Sequence, residues 1–263
     1  MTFVPTNHLA GHLYMYGVLT ALEDLSKYVP RAQRVIGDQK FTVRLSCEER
    51  SEENLRISFN HGRCFVKAKE GDSFHYDVWF QFASYQDVED FFTGKRFILP
   101  KVIKGWQEPW QLVTFIRLLL LMKSYLEPAE KNLKSSAEVT SAHTRLLLGV
   151  ALNCLKQLSI HESFSRKIFA SIPDGSALFE IKKENFAAWV GKKSGQVVLG
   201  KGSLENPDVQ VCFRDALLAL DIFKAKIPSI EAVGKNTILI SGMIPIADGL
   251  GQIMDRVSRY IKI

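Results

Sequence analysis

Two spacings of apolar residues alternate along this chain, and they divide it into helices and strands. From His8 to about Ile36, apolar positions such as Leu13, Tyr16, Leu19, Leu22 and Leu25 recur every third residue. That spacing predicts a helical face, interrupted or bent at Pro30. The period then falls to two. Phe41, Val43, Leu45 and Cys47 alternate with polar residues, the pattern of a half-buried strand. Further strands are predicted at 55–59 and 63–69, on either side of the Asn60-His61-Gly62 turn, and at 74–82. Ser84 stands three residues before Asp87, a capping-box spacing for a short helix that Gly94 ends. A fifth short strand is expected at 97–99, before Pro100. Residues 110–126, free of Gly and Pro, predict a largely buried helix closed by Pro128.

Residues 128–141 form the most polar stretch in the middle of the chain and are expected to be a linker. A helix follows at 143–159, with Leu147, Val150, Ala151, Cys154, Leu155 and Leu158 on one face. The earlier order then returns: strands at 175–181, 186–190, 196–200 and 208–213, a helix at 215–223, a turn at Gly234, a strand at 237–241 and an amphipathic helix at 246–260. One landmark anchors the comparison. Asp77-Val78-x-Phe80-x-Phe82 matches Asp208-Val209-x-Val211-x-Phe213, and each is followed by a helix, a glycine and a short strand. A repeated order of elements predicts two copies of one fold. The expected architecture is α+β, in two tandem units, each a five-stranded, mostly antiparallel sheet covered by helices. The expected domains are 1–127 with a leading helix, the linker 128–141, and 142–263.

The second half resembles the sterol carrier protein type 2 superfamily. The residues carrying the resemblance are the Asn206-Pro207-Asp208-Val209 lead-in to a strand, the helix after Asp215, Gly234 ahead of the strand at 237–240, Gly242, and the final helix beginning near Ala247. It covers roughly 160–263, and 40–126 matches more faintly. The first half departs from the pattern: 77–94 is shorter than 208–234, and Pro100 falls at the expected fifth strand. Members of the superfamily have a five-stranded sheet covered on one side by helices, and several bind sterols, fatty acids or acyl-CoA in a tunnel between them. The resemblance therefore implies a non-enzymatic lipid binder.

In this chain the tunnel is expected mainly in the C-terminal repeat. Its expected lining is Phe213, Leu217, Leu220, Phe223, Met243, Leu250, Ile253, Met254 and Val257. Apolar helix faces are needed to keep such a cavity greasy, and the unbranched methionines adapt to irregular ligands. Lys224 or Lys226 would meet an anionic headgroup at a portal. The alternative is an interaction or accessory module whose cores are filled and which takes no ligand.

Composition narrows the picture further. There are 34 basic and 28 acidic residues, a net charge of +6, and the bases are scattered among acids. No basic stripe interleaved with exposed aromatics appears, so nucleic acid is not an expected partner. A lipid or acyl-chain ligand and a transient contact with an anionic membrane are expected instead, and the oligomeric state is left open. Cys47, Cys64, Cys154 and Cys212 lie far apart, with no zinc-site or disulfide-scaffold spacing. Gly195 to Gly202 approaches a phosphate-binding loop, but Gly202 stands where Ser or Thr must hold magnesium, and the stretch reads as a hairpin strand. His8 and His12 are one helical turn apart without the glutamate of a metalloprotease helix. No Gly-x-Ser-x-Gly occurs, so no catalytic residue, metal or cofactor is expected. Trp106 and Trp110 flank Pro109, placed either to pack between the repeats or to anchor at a membrane surface. The N-terminal stretch lacks the pattern of a signal peptide, and a cytoplasmic location is expected.

Overall fold

The computed structural model describes Val4 and residues 8–50, 53–68, 74–130, 133, 136–223, 234–235 and 237–261. The chain divides into two compact units, residues 1–128 with 260–263, and residues 129–259.

In the first unit, β1 (Lys40–Cys47) lies at the centre of a sheet with β2 (Asn54–Asn60), β3 (Arg63–Ala68), β4 (Val78–Phe82) and β5 (Lys101–Lys104), in the order β3-β2-β1-β4-β5. Phe41, Val43 and Leu45 stand opposite Phe59, Ile57 and Leu55 in the antiparallel pair. Val43 and Leu45 stand opposite Val78 and Phe80 in the parallel pair. Directly opposed residues share a face, so the alternating apolar residues gather into one buried layer. On that layer lies α5 (Pro109–Leu126), whose Phe115 ring meets Phe80 at 5.5 Å and Phe59 at 6.2 Å. The opposite face is polar. There Arg44 lies over the Trp79 ring at 4.5 Å and donates to Asn54, while Trp79 donates to Ser46 at 2.7 Å.

The leading helical run is three helices: α1 (Leu9–Tyr16), α2 (Ala21–Tyr28) and α3 (Pro30–Ile36), with a 3-10 turn at Val18–Thr20. The break before Pro30 has a steric cause. A residue preceding proline is driven out of the helical region, and Val29 is extended at φ −112°, ψ 106°, so Pro30 starts a new helix at N1. The expected capping box is present in α4 (Tyr85–Thr93): Ser84 Oγ accepts from Asp87 N–H, Asp87 accepts from Ser84 N–H, and Gly94 closes the helix at φ +69°. The fifth strand is displaced from its expected position. Phe97 and Leu99 are 92% and 68% exposed, and the strand begins after Pro100, where Val102 falls opposite Phe80. An edge strand is placed by its neighbour's register, and the apolar triplet before Pro100 has no partner strand.

The second unit holds β6 (Gly175–Ile181), β7 (Phe186–Lys193), β8 (Gln196–Lys201), β9 (Val209–Phe213) and β10 (Ile238–Gly242), in the order β10-β9-β6-β7-β8. The first strand is again central, antiparallel to the second and parallel to the fourth. Each unit is thus an α+β assembly on a five-stranded, mostly antiparallel sheet. α6 (Ala137–His161) packs on β7 and β8, with α7 (Ser163–Ser171) and α8 (Ala216–Phe223) against it, and α9 (Ile244–Tyr260) ends the unit. The start of α6 lies inside the stretch expected to be a linker, because Ser136 accepts from Val139 N–H and caps a helix six residues earlier than the apolar spacing indicates. α7 was not anticipated from the sequence.

The matched aspartates perform the same task in both units. Asp77 Oδ2 accepts the Thr42 backbone N–H at 2.7 Å, and Asp208 Oδ2 accepts that of Ser176 at 2.8 Å. Each carboxylate satisfies a donor just ahead of the parallel pair. A second device also recurs. Glu49, after β1, accepts from Tyr85 N–H at the start of α4, and Glu184, after β6, accepts from Ala216 N–H at the start of α8.

Candidate functional site

Helices α1, α4 and α5 of the first unit leave a cleft of about 210 Å³ between them. Its walls are Tyr14 and Val18, Phe91 and Phe92, and Leu119, Leu120, Met122 and Leu126. Spacing explains how α5 reaches both this cleft and the sheet. Leu119, Met122 and Leu126 recur at i, i+3 and i+7 along the cleft, while Phe115 meets the sheet through Phe59 and Phe80. Tyr14 and Phe92 stack at 5.4 Å with their rings within 3° of parallel, and Phe91 meets Phe92 and Phe82 edge to face. Rigid rings that brace one another leave space a flexible side chain would fill. Lys123 and Glu127, both exposed, stand on the rim, and Lys123 Nζ donates to the Phe92 carbonyl at 3.5 Å.

A buried polar group fastens α1 beside this cleft. Tyr85 Oη donates to Glu53 Oε2 at 3.3 Å, and Arg50 Nη1 lies 3.4 Å from Glu53 Oε1. His12, on α1, approaches Glu53 at 4.0 Å, and its ring packs on those of Tyr16 and Tyr85. Burial above all, followed by the neighbouring Tyr16 and Glu53, pushes the Tyr85 hydroxyl far above the usual phenol range, so it remains a proton donor. Gly11, one residue before His12, permits the contact: a Cβ there would lie 1.8 Å from the Tyr85 carbonyl oxygen. The cluster holds a helix, and the helix carries Tyr14 to the cleft.

The nine residues expected from the sequence are distributed in the second unit as follows. Phe213 and Phe223 meet edge to face at 5.4 Å. Leu220, Leu250, Ile253 and Val257 are buried, and Phe223 and Met254 are half-buried. Leu217 and Met243 are 54% and 44% exposed. α8 rests on α6, with Thr144 Oγ1 3.4 Å from the Ala216 carbonyl. Neighbours of α9 include Ile172 and Ile168, which crowd Gly249, and Glu162, which pairs with Arg256. Lys224 and Lys226 lie outside the described residues. Among the described residues, no group of three or more His, Cys, Asp or Glu is placed to hold a metal ion. The first-unit cleft was missed because a continuous apolar run such as 118–122 reads the same whether it fills a core or lines a gap. The only local signal was the pair Phe91-Phe92, adjacent residues that face different neighbours.

No protein-family model matches this chain, and no curated protein matches it. Among solved structures it is similar to the sterol carrier protein domain 2 of Helicoverpa armigera, at 15% identity over 44% of this chain and 92% of that one, with a TM-score of 0.36. Sterol carrier protein 2 like 2 of Aedes aegypti is 20% identical over 35% of this chain and 93% of that one, with a TM-score of 0.26. An inverting sec-alkylsulfatase from Pseudomonas sp. is 10% identical over 55% of this chain and 28% of that one, also with a TM-score of 0.26.

Proposed function

We propose that this protein is a non-enzymatic binder of a lipid acyl chain, built from two copies of one sterol-carrier-like fold. The shared strand order and the two repeated capping devices support the duplication. The boundary between the copies falls in the polar stretch after Pro128. The observation that carries the ligand reading is the apolar cleft of about 210 Å³ with Lys123 on its rim. A cavity of roughly 150 Å³ accommodates a benzene ring, while pockets for larger ligands begin at about 300 Å³. The cleft therefore suits part of an acyl chain better than a sterol skeleton, with the ammonium of Lys123 near a fatty-acid carboxylate or an acyl-CoA phosphate. Burying six methylenes contributes about 5 kcal/mol, which offsets the low end of the cost of association, so net affinity depends on the headgroup contact at Lys123 as well.

A second reading keeps the C-terminal unit as the site. It draws on apolar side chains left exposed around α8 and β10: Leu217, Leu239, Ile240, Met243 and Ile244. Native mass spectrometry of the purified protein, with solvent extraction of whatever accompanies it, separates the readings. A stoichiometric fatty acid or acyl-CoA, lost in Leu119→Trp and kept in Met254→Trp, supports the first-unit cleft. The opposite pattern moves the site to the second unit. A bare mass that stays bare after incubation with a fatty-acid and acyl-CoA panel refutes both and leaves a filled-core interaction module.

A further inference from the structure

The outer side of α5 carries an apolar face. Trp110, Val113, Ile116 and Leu120 recur at three- and four-residue spacing, which puts them on one side of the helix, and they are 79%, 44%, 49% and 64% exposed. Just ahead of the helix, Trp106 is 73% exposed, and Phe97 and Leu99 add further exposed apolar surface from the loop before β5. Single exposed apolar residues are ordinary, but four along one side of a helix, with a second exposed indole four residues ahead of the first, mark a contact surface.

Charge indicates what it contacts. Between Phe97 and Leu126 the sequence has four basic side chains and one acidic, a net +3 within a chain whose total is +6. All four bases, Lys101, Lys104, Arg117 and Lys123, are exposed. Lys95 and Arg96, just upstream, are paired with Glu89 and Asp90 and add little. On the helix, Arg117 and Lys123 flank the Val113–Ile116–Leu120 stripe on opposite sides. An apolar stripe with aromatic residues at one end and cations along its margins is the pattern of a helix lying in a bilayer interface, where indoles sit at headgroup depth and cations meet lipid phosphates. Among the described residues no helix is long and apolar enough to cross a membrane, so the contact is with the surface.

We propose that this face of α5, with Trp106 and Trp110 as anchors, docks the protein on an anionic phospholipid bilayer. Leu120 belongs both to this face and to the wall of the cleft, so docking brings the cleft mouth to the lipid. The docking stands whether or not the cleft takes an acyl chain, and the two are tested separately.

The test is co-sedimentation of the full chain with vesicles of phosphatidylcholine alone and with about one-third phosphatidylserine, at low and high salt, alongside tryptophan emission. Wild type is expected to sediment with the anionic vesicles at low salt, with a blue-shifted emission, and to release at high salt. Trp106→Ser with Trp110→Ser is expected to weaken partitioning by about tenfold or more while leaving acyl-chain binding intact. Lys101→Glu with Arg117→Glu is expected to lose more than about twentyfold on anionic vesicles, since each base at such a surface contributes a factor of about five. Circular dichroism checks that the variants fold. Wild type that ignores anionic vesicles, or a double tryptophan variant that binds them as well as wild type, overturns the proposal. So does a concentration-dependent dimer that the tryptophan variant abolishes in the absence of vesicle binding, which would make the face a protein interface. Acyl-chain binding without vesicle binding refutes only the docking, and the reverse refutes only the ligand reading.

Discussion

Replacing Gly11 with alanine tests whether close approach of α1 and α4 builds the cleft. The new Cβ would lie 1.8 Å from the Tyr85 carbonyl oxygen, 2.6 Å from its carbon and 3.0 Å from its Cα. All three are backbone atoms, so no rotamer change relieves the clash, and the helices must separate by about 1.5 Å to restore ordinary contact. Overpacking of this kind costs about 3 kcal/mol, while alanine recovers about 1 kcal/mol of helix propensity over glycine, for a net loss of about 2 kcal/mol. In a unit of this size that lowers Tm by roughly 6 °C. The perturbation is also directional. Moving α1 pulls Tyr14 away from Phe92, so acyl-chain binding weakens more than stability alone accounts for. Gly94→Ala is the control: it sits at φ +69° with nothing near its Cβ, and is expected to cost about 1 kcal/mol without affecting the ligand. Urea unfolding followed by circular dichroism, with ligand titration of the folded variants, reads both effects. A Gly11→Ala protein as stable as wild type, with unchanged binding, would refute the packing argument.

Three further outcomes are expected. Glu53→Ala removes the carboxylate that faces both the buried Arg50 guanidinium and the Tyr85 hydroxyl, and should cost about 3 kcal/mol in urea unfolding, whereas a cost below that of an ordinary surface change would show the carboxylate to be dispensable. Gly242→Ala places a Cβ 2.0 Å from the Asp208 carbonyl oxygen at φ +104°, and should free β10 from β9, seen as faster amide exchange at Leu239 and Ser241. Burial works against the Asp215 carboxylate, but the Leu218 N–H and Arg214 hold its pKa below the ordinary 3.8. A depressed carboxylate stabilises the fold fully above its unfolded pKa and loses that contribution as pH falls through the folded value. The stability difference between wild type and Asp215→Asn should therefore shrink below about pH 4, and a difference constant across that range would exclude a contribution from the Asp215 charge.

Local sequence determined most of the secondary structure and the matching order of elements in the two halves. The alternation in 40–47 and 175–181, the Ser84–Asp87 capping box and the Asp77/Asp208 match are short-range signals, because strand period, helix cap and strand-start acceptor depend on neighbours a few residues away. Tertiary structure decided the rest. The place of β5 followed from the register of β4, not from the apolar triplet before Pro100. The early start of α6 turned on a single serine oxygen reaching Val139. Which apolar residues bound a cleft was also a tertiary matter. Leu119 and Phe92 lie 27 positions apart, and whether they touch or leave a gap depends on how Gly11 seats α1 against α4. A side chain's hydrophobicity is written in the sequence; whether water, protein or ligand lies against it is settled only when distant elements come together.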